Sequence, residues 1–329
     1  MDWSKGFSAS YYMAVIDKRT WNDTSRLKIK GGKVSRSGTG LRQSADIDCP
    51  DYELGTEKWI RVWFDTEQNG SAEHVALFTG LACAPAKDSG NIPLECYSVL
   101  KPADDVMLQR AWYVAAGMNG AETAASMLRD ATPAPVVVEG VSPNLQQAII
   151  AGDGETVLSM VDKILDAIGW QIQISGTGKI TIRETPSKAT VVFGKDYDVL
   201  ETEIKIEQDW FDCPNVFRAI SDDMTAVARD DSETSPLSTV VRGREVWMEE
   251  TNCDMNDSET IEEYSVRRLK EEQQRAVKIT YGRRFHPDVY TGDIIRLNYP
   301  EHDLQGEYRV NAQTIDLEYG ASTAEEVSA

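Results

Sequence analysis

The sequence predicts a β-rich α+β fold: two β-barrel or sandwich domains with helix-containing insertions. Three observations lead there. Between residues 8 and 100, short segments rich in β-branched and aromatic residues recur every 10–20 positions. Residues 155–184 then switch to a helical apolar period and back to a strand period. From residue 190 the β pattern returns and runs nearly to the end.

The first region offers YYMAVI (11–16), RLKIKGGKV (26–34), ADID (45–48), KWIRVWF (58–64), EHVALF (73–78) and IPLECYSV (92–99) as strands. Asn69 and Gly70 suit a two-residue hairpin turn, because both tolerate positive φ. Residues 104–121 read as an extended loop, and AETAASMLRDA (121–131) as a short helix stopped by TPAP. VVVEG and LQQAII are short apolar pieces.

In ETVLSMVDKILDAIGW, Val157, Met160, Val161, Ile164 and Ile168 share one helical face, and Gly169 supplies a left-handed stop. WQIQISGTGKITIRE follows as a hairpin. Ile172 and Ile174 alternate before its turn, Ile180 and Ile182 after it. This is an α-β-β unit with the helix laid on two strands.

TVVFG, LETEIKIEQDW, PNVFRAIS, MTAVAR and GREVWME then read as strands, with DDSETSPLST as a mobile surface loop. NDSETIEEYSVRRLKEEQQRAVK (256–278) is a charged helix capped near Asp257 or Ser258, with Val266, Leu269, Gln273 and Ala276 as its narrow seam. KITYGRRF, DIIRLNYP and GEYRVNAQTIDLEYG close the β pattern. The expected division is an N-terminal β domain over 1–103, an α+β middle domain over 104–188, a second β domain over 189–320 with a helix at 257–277, and a flexible tail over 321–329.

Bulk properties fit two or three domains. The chain has 329 residues, and 41% apolar content with eight tryptophans is enough to build cores. The tryptophans of KWIRVWF and GREVWME lie in strands and are expected in the core. No stretch reaches the roughly 18 apolar residues of a membrane span, and MDWSKGFSASYY lacks a signal-peptide pattern. Folding in a cytoplasm is the expectation. Cys49, Cys83, Cys96, Cys213 and Cys253 show no zinc or redox spacing and read as reduced, mostly buried thiols. With 34 basic and 54 acidic residues, the net charge of −20 disfavours a tight grip on nucleic acid.

Candidate chemistry is sparse. GTGKIT (176–181) imitates a phosphate loop, but Gln173 stands where the pattern needs glycine and Ile180 where it needs Ser or Thr. It also joins strand to strand, so a hairpin turn is expected. CDMNDSE (253–259) lacks the glycine of a calcium loop and reads as a helix start. His286 and His302 flank DIIRLNYP, a strand of roughly 25 Å at ~3.3 Å per residue, and sharing one metal would require its two ends to meet. No catalytic residue, cofactor site or metal site is assigned.

Three stretches carry a resemblance: ETVLSMVDKILDAIGWQIQISGTGKITIRE, CPNVFRAISDD with RGREVW, and FHPDVYTGDIIRLNYPEHDLQGEYRVNAQTIDL. In this order they resemble the baseplate hub proteins of phage tails, the late-control D class of contractile phages and phage-like bacteriocins. The most specific part is the closing motif of Pro287, Val289, Gly292, Asp293, Ile295, Leu297, Gly306, Tyr308, Arg309, Val310, Ile315 and Asp316. These residues are structural in the family.

The resemblance implies a non-enzymatic homotrimer whose two tube-like β domains give pseudo-sixfold symmetry. Such a trimer adapts a sixfold tail tube to a threefold central spike. Tail tube protein, central spike protein and baseplate wedge proteins are the implied partners, with tape-measure protein as a channel occupant and the virion or phage-like particle as the location. An acidic lumen would let a polyanion pass without sticking. A tail-associated cell-wall hydrolase and a surface glycan-binding β module are the rival readings.

Overall fold

The computed structural model describes residues 1–53, 55–84, 92–194, 204–208, 210–221, 224–251, 253, 255, 259–275, 277–302 and 304–328. The N-terminal region forms β1 (Ser8–Ile16), β2 (Asp23–Lys28), β3 (Gly31–Ser37), β4 (Gln43–Asp48), β5 (Glu57–Gln68), β6 (Ser71–Cys83) and β7 (Pro93–Ser98). Asn69 and Gly70 turn β5 into β6 with φ of 51° and 84°, as their chemistry predicts. RLKIKGGKV, expected as one strand, is two. The break falls at Ile29–Lys30, and just beyond it, at the start of β3, a Cβ on Gly32 would lie 2.2 Å from the Asp46 carbonyl oxygen. Only a residue without a side chain lets β3 lie this close to β4.

The middle region contains α1 (Lys101–Asp105), β8 (Tyr113–Val114), α2 (Gly120–Ala131), β9 (Val136–Glu139), β10 (Ile149–Ile150), α3 (Val157–Asp166), β11 (Trp170–Ile174) and β12 (Ile180–Glu184). Thr156 and Ser159 form a capping box at the start of α3, and Gly169 takes φ 67° just after it. Val157, Met160, Val161 and Ile164 are buried with Ile172, Ile174, Ile180 and Ile182 in one core. Burying each such side chain contributes about 1.5–3 kcal/mol. The helix-hairpin unit gains a third strand, since β9 pairs with β12 in parallel. VVVE carried too few residues to announce that pairing.

The C-terminal region contains β13 (Ala189–Gly194), β14 (Lys205–Gln208), β15 (Val216–Ser221), β16 (Met224–Arg229), α4 (Thr239–Arg242), β17 (Trp247–Thr251), α5 (Ile261–Arg275), β18 (Val277–Arg283), β19 (Ile294–Tyr299), β20 (Leu304–Asp316) and β21 (Thr323–Ser328). Strands β15, β16 and β17 form their own sheet, and α5 packs on it through Ile261, Tyr264 and Leu269. This is an insertion between β14 and β18.

The expected seam of α5 is corrected here. Leu269 is buried as expected, but Val266 is 61% exposed, because the buried face runs from Leu269 through Ile261, Tyr264 and Ser265. Ala276, Asp257 and Ser258 lie outside the described residues. The cap is Thr260, whose Oγ1 accepts from Glu263 N at 3.2 Å. DDSETSPLST, expected to be mobile, is pinned: Asp230 accepts from the Ser232 amide and the Ser235 hydroxyl, and the buried Asn215 amide donates to Leu237 O at 3.0 Å.

One 13-stranded sheet runs through both β regions in the order β14-β18-β21-β20-β3-β4-β7-β6-β5-β1-β2, with β19 between β13 and β20. Among the described residues this sheet stays open and does not close into a barrel. The β3–β20 pairing joins the two halves, from Ala312↔Ser37 to Asp316↔Lys33. Residues 321–329, expected as a flexible tail, contain β21, which lies between β18 and β20. The reason is a hidden period: Thr323, Glu325 and Val327 alternate inward. A buried acid in that row disguised the strand.

Candidate functional site

The closing motif is made of core, turn and joint residues. Val289, Ile295, Leu297 and Val310 fill the C-terminal β core, and Ile315 reaches across into the N-terminal one. Gly306 stands opposite Leu297, and Tyr308 opposite Ile295. Pro287 sits in the turn before Val289, and Asp316 is exposed, its amide donating to Ser322 O at 2.9 Å. The remaining three, Gly292, Asp293 and Arg309, belong to a joint between regions.

At that joint, β11 and β12 of the middle region meet the loop before β19. The Asp293 carboxylate pairs with the Arg183 guanidinium and accepts from Tyr290 N at 2.8 Å. Arg309 donates to Gly292 O at 2.8 Å and to Pro186 O at 3.1 Å. Gly292 has φ +86°, and a Cβ there would lie 2.7 Å from the Gln171 side chain. The glycine is required twice, by backbone conformation and by closeness. Burial raises the Asp293 carboxyl above its usual value, against the pull of Tyr290 N and Arg183.

A second joint uses the imitation phosphate loop. GTGKIT is the β11–β12 hairpin turn, and its tip docks on the N-terminal sheet. A Cβ on Gly176 would stand 1.7 Å from Ala76 O, and one on Gly178 2.7 Å from the Thr79 side chain. Thr79 Oγ1 donates to Gly176 O at 2.7 Å. Thr177 O accepts from Trp21 Nε1 at 3.0 Å and from Arg61 Nη2 at 3.1 Å. Close spacing of two glycines in a hairpin turn was the available signal for backbone-to-backbone approach.

The third joint lies under the β3–β20 seam and is a buried polar network. Arg283 and Glu325 are 2% and 1% exposed and bind through two bonds, Nε to Oε2 at 2.8 Å and Nη2 to Oε1 at 2.7 Å. Tyr281 Oη donates to Glu325 Oε2 at 2.5 Å, and Gln313 Nε2 donates to Glu325 Oε1 at 2.7 Å. Arg36 of β3 donates to Gln313 Oε1 at 3.3 Å and to Leu77 O at 3.0 Å, so the network reaches the N-terminal half. Burial alone would push the Glu325 carboxyl up, but Arg283, Gln313 and Tyr281 outweigh it and hold it below the usual range. Burial lowers the Arg36 guanidinium from its ordinary value.

None of these network residues was a sequence candidate. Ile279, Tyr281 and Arg283 share the inward face of β18, so the signal was there in the alternation.

His286 and His302 do not meet. The His286 ring packs on Phe193 at 5.9 Å between centroids, with its pKa lowered by burial and by Arg283. His302 is exposed in the Pro300–His302 turn. Among the described residues no three of His, Cys, Asp and Glu converge as a metal cluster, and no helix is long and apolar enough to cross a membrane. The cysteines are free; four are buried and Cys83 is half-buried. Trp247 of GREVWME, expected in the core, is 50% exposed because it lies on the sheet face opposite α5.

No family model matches the chain and no curated protein matches it. Solved structures do match over nearly the whole length. The tail protein from Neisseria meningitidis MC58 aligns with a TM-score of 0.68 at 14% identity, covering 98% of this chain and 96% of that one. The 43 kDa tail protein of prophage MuSo2 from Shewanella oneidensis aligns at 0.65 and 13% identity, covering 96% and 97%. The E. coli c3393 protein aligns at 0.50 and 8% identity, covering 92% and 73%; it is described as a type VI secretion system component structurally similar to the T4 bacteriophage tail proteins gp27 and gp5. The chain has the fold of phage tail proteins.

Proposed function

We propose that this protein is a structural baseplate hub, a homotrimeric symmetry adaptor that links the tail tube to the central spike of a phage or phage-like particle. The observation that carries the reading is the end-to-end likeness to two tail proteins, one of them from a prophage, with more than nine-tenths of both chains covered. A further match, itself described as similar to the T4 tail proteins gp27 and gp5, supports a place in the tail.

The internal architecture suits that task. Two joints of glycine contacts and ion pairing hold the middle region against both β halves, and a buried polar network ties the halves to each other, so force applied to one half passes to the other through packed backbone. The protein's chemistry is interface formation and not turnover. Tail tube protein, spike protein and wedge proteins are its partners, and an acidic lumen would let tape-measure protein and genome pass.

Co-sedimentation tests this. Particles pelleted from the producing cell should contain this chain at a few copies per tail, in multiples of three. A chain left wholly soluble while intact tails pellet would overturn the proposal, and cell-wall zymography and glycan arrays would then separate the hydrolase and lectin readings.

A further inference from the structure

A cleft of about 470 Å³ lies where the N-terminal sheet meets the middle region. Trp59 and Leu81, cross-strand partners on β5 and β6, form one side of it. Pro102 of α1 and Pro133, just after α2, form another. Lys18, Arg19 and Glu57 complete the lining, and all three are exposed.

The lining is held in place before anything enters. Proline has no rotamer freedom to lose, and the Trp59 ring is braced by Trp21 at 5.6 Å between centroids. Trp21 is itself tied down, its Nε1 donating to Thr177 O at 3.0 Å. The turn that carries the two cations is fixed as well. Trp21 N donates to Asp17 O at 2.8 Å, and Arg19 N donates to the Asp17 carboxylate at 2.8 Å. A site shaped in advance loses little entropy when it is filled.

Charge gives the cleft a direction. Among the described residues the side chains of Lys18, Arg19 and Glu57 form no hydrogen bond or ion pair. Two cations and one carboxylate leave the lining with one positive charge, on a chain of net charge −20. A largely apolar cleft between two regions, with a few charged groups at its mouth, has the form and size of a small-ligand site.

We infer that this cleft binds an apolar group that carries a carboxylate. The apolar group covers Trp59 and Leu81, and the carboxylate meets Lys18 and Arg19. Glu57 repels a like charge and so sets which way round the ligand lies. The carboxylate comes from a free acid or from an acidic peptide segment. The site is independent of the hub reading, because the purified chain alone suffices to test it.

The test is calorimetric titration of the full chain with 4-phenylbutyrate, with the uncharged 4-phenylbutanol, and with the peptide acetyl-Phe-Asp-Asp-amide. The acid should bind at least ~5-fold more tightly than the alcohol. Lys18→Ala/Arg19→Ala should abolish that preference and leave the alcohol unaffected, whereas Glu57→Gln should widen it. Both charge changes lie on the exposed surface, and circular dichroism identical to wild type shows that each variant is folded. Trp59→Ala should weaken all three ligands. A peptide that binds more tightly than the free acid supports the inference with a protein segment as the source; the reverse order supports it with a small acid. Equal affinity for acid and alcohol would overturn the inference. So would a preference unchanged in Lys18→Ala/Arg19→Ala, or no binding of acid or peptide up to about 10 mM.

Discussion

Two buried carboxylates, Glu325 and Asp293, meet opposite electrostatic fates. Both are nearly inaccessible, and both have an arginine partner. Glu325 also accepts from Tyr281 and Gln313, and its arginine is itself buried and bidentate. Asp293 has one backbone amide and an arginine that is 24% exposed. The first carboxyl is held below its usual range and the second pushed above it. Burial sets the cost of the charge, and the number of donors decides whether that cost is offset.

The comparison breaks most sharply at Glu325. Glu325→Gln leaves the Arg283 charge buried without its counter-ion and should cost about 3–5 kcal/mol, read as a fall in the urea midpoint. Next is the glycine of the hairpin joint. Gly176→Ala places a methyl on the Ala76 carbonyl, and with backbone as the obstacle the expected loss is about 1–3 kcal/mol. Gly292→Ala meets a side-chain amide instead, so its loss should fall at or below that of Gly176→Ala, with the left-handed φ adding about 1–2 kcal/mol of strain. If the order of the two alanines reverses, the hairpin tip is the softer joint.

Asp293→Asn sharpens the contrast. It removes a charge that burial disfavours and an ion pair that favours it, so the net change at neutral pH should stay near ~1 kcal/mol. The pH dependences have opposite signs. Glu325 has a depressed folded pKa, so its contribution is present above the unfolded value of about 4.3 and is lost as pH falls through the folded pKa. Asp293 has a raised folded pKa, so its ionisation costs stability as pH rises from the unfolded value of about 3.9 through the folded one. Denaturation curves of wild type, Glu325→Gln and Asp293→Asn between acid and neutral pH should diverge accordingly; parallel curves would show that neither carboxyl titrates as described.

The smallest effect belongs to α5. Arg267 binds Glu259 and Glu271 on a surface where water competes, and Arg267→Ala should change stability by about 1 kcal/mol or less.

Some of this was legible early. The α3 face, the Gly169 stop and the hairpin of β11 and β12 follow from a helical period that turns abruptly into a strand period, a local signal needing no partner. Asn69–Gly70 follows from φ preference alone. The aliphatic members of the closing motif, Val289, Ile295, Leu297, Val310 and Ile315, are in the cores. Other parts were not legible. Glu325 made β21 look like a tail, since an acid is read as exposed until its arginine is placed. Val266 looked like the seam of a highly charged helix because charged residues on both faces weaken the apolar period. Trp247 looked like core because strand alternation says which residues share a face, and not which face is covered.

Residue order alone dictates the local and periodic features: strand-rich ends around an α-β-β unit, turns at Asn-Gly and Gly-rich sites, mostly buried thiols, and an acidic composition with a basic stretch near residue 30. Tertiary structure alone decided that the two β regions share one sheet through β3 and β20, that GTG is a docking tip, and that Arg36, Gln313, Glu325 and Arg283 are one network. The physical reason is distance along the chain. Arg36 and Gln313 are separated by 277 positions, and no period or propensity in either segment encodes the other. Their meeting is set by strand register across the seam, which exists only once the whole chain has folded.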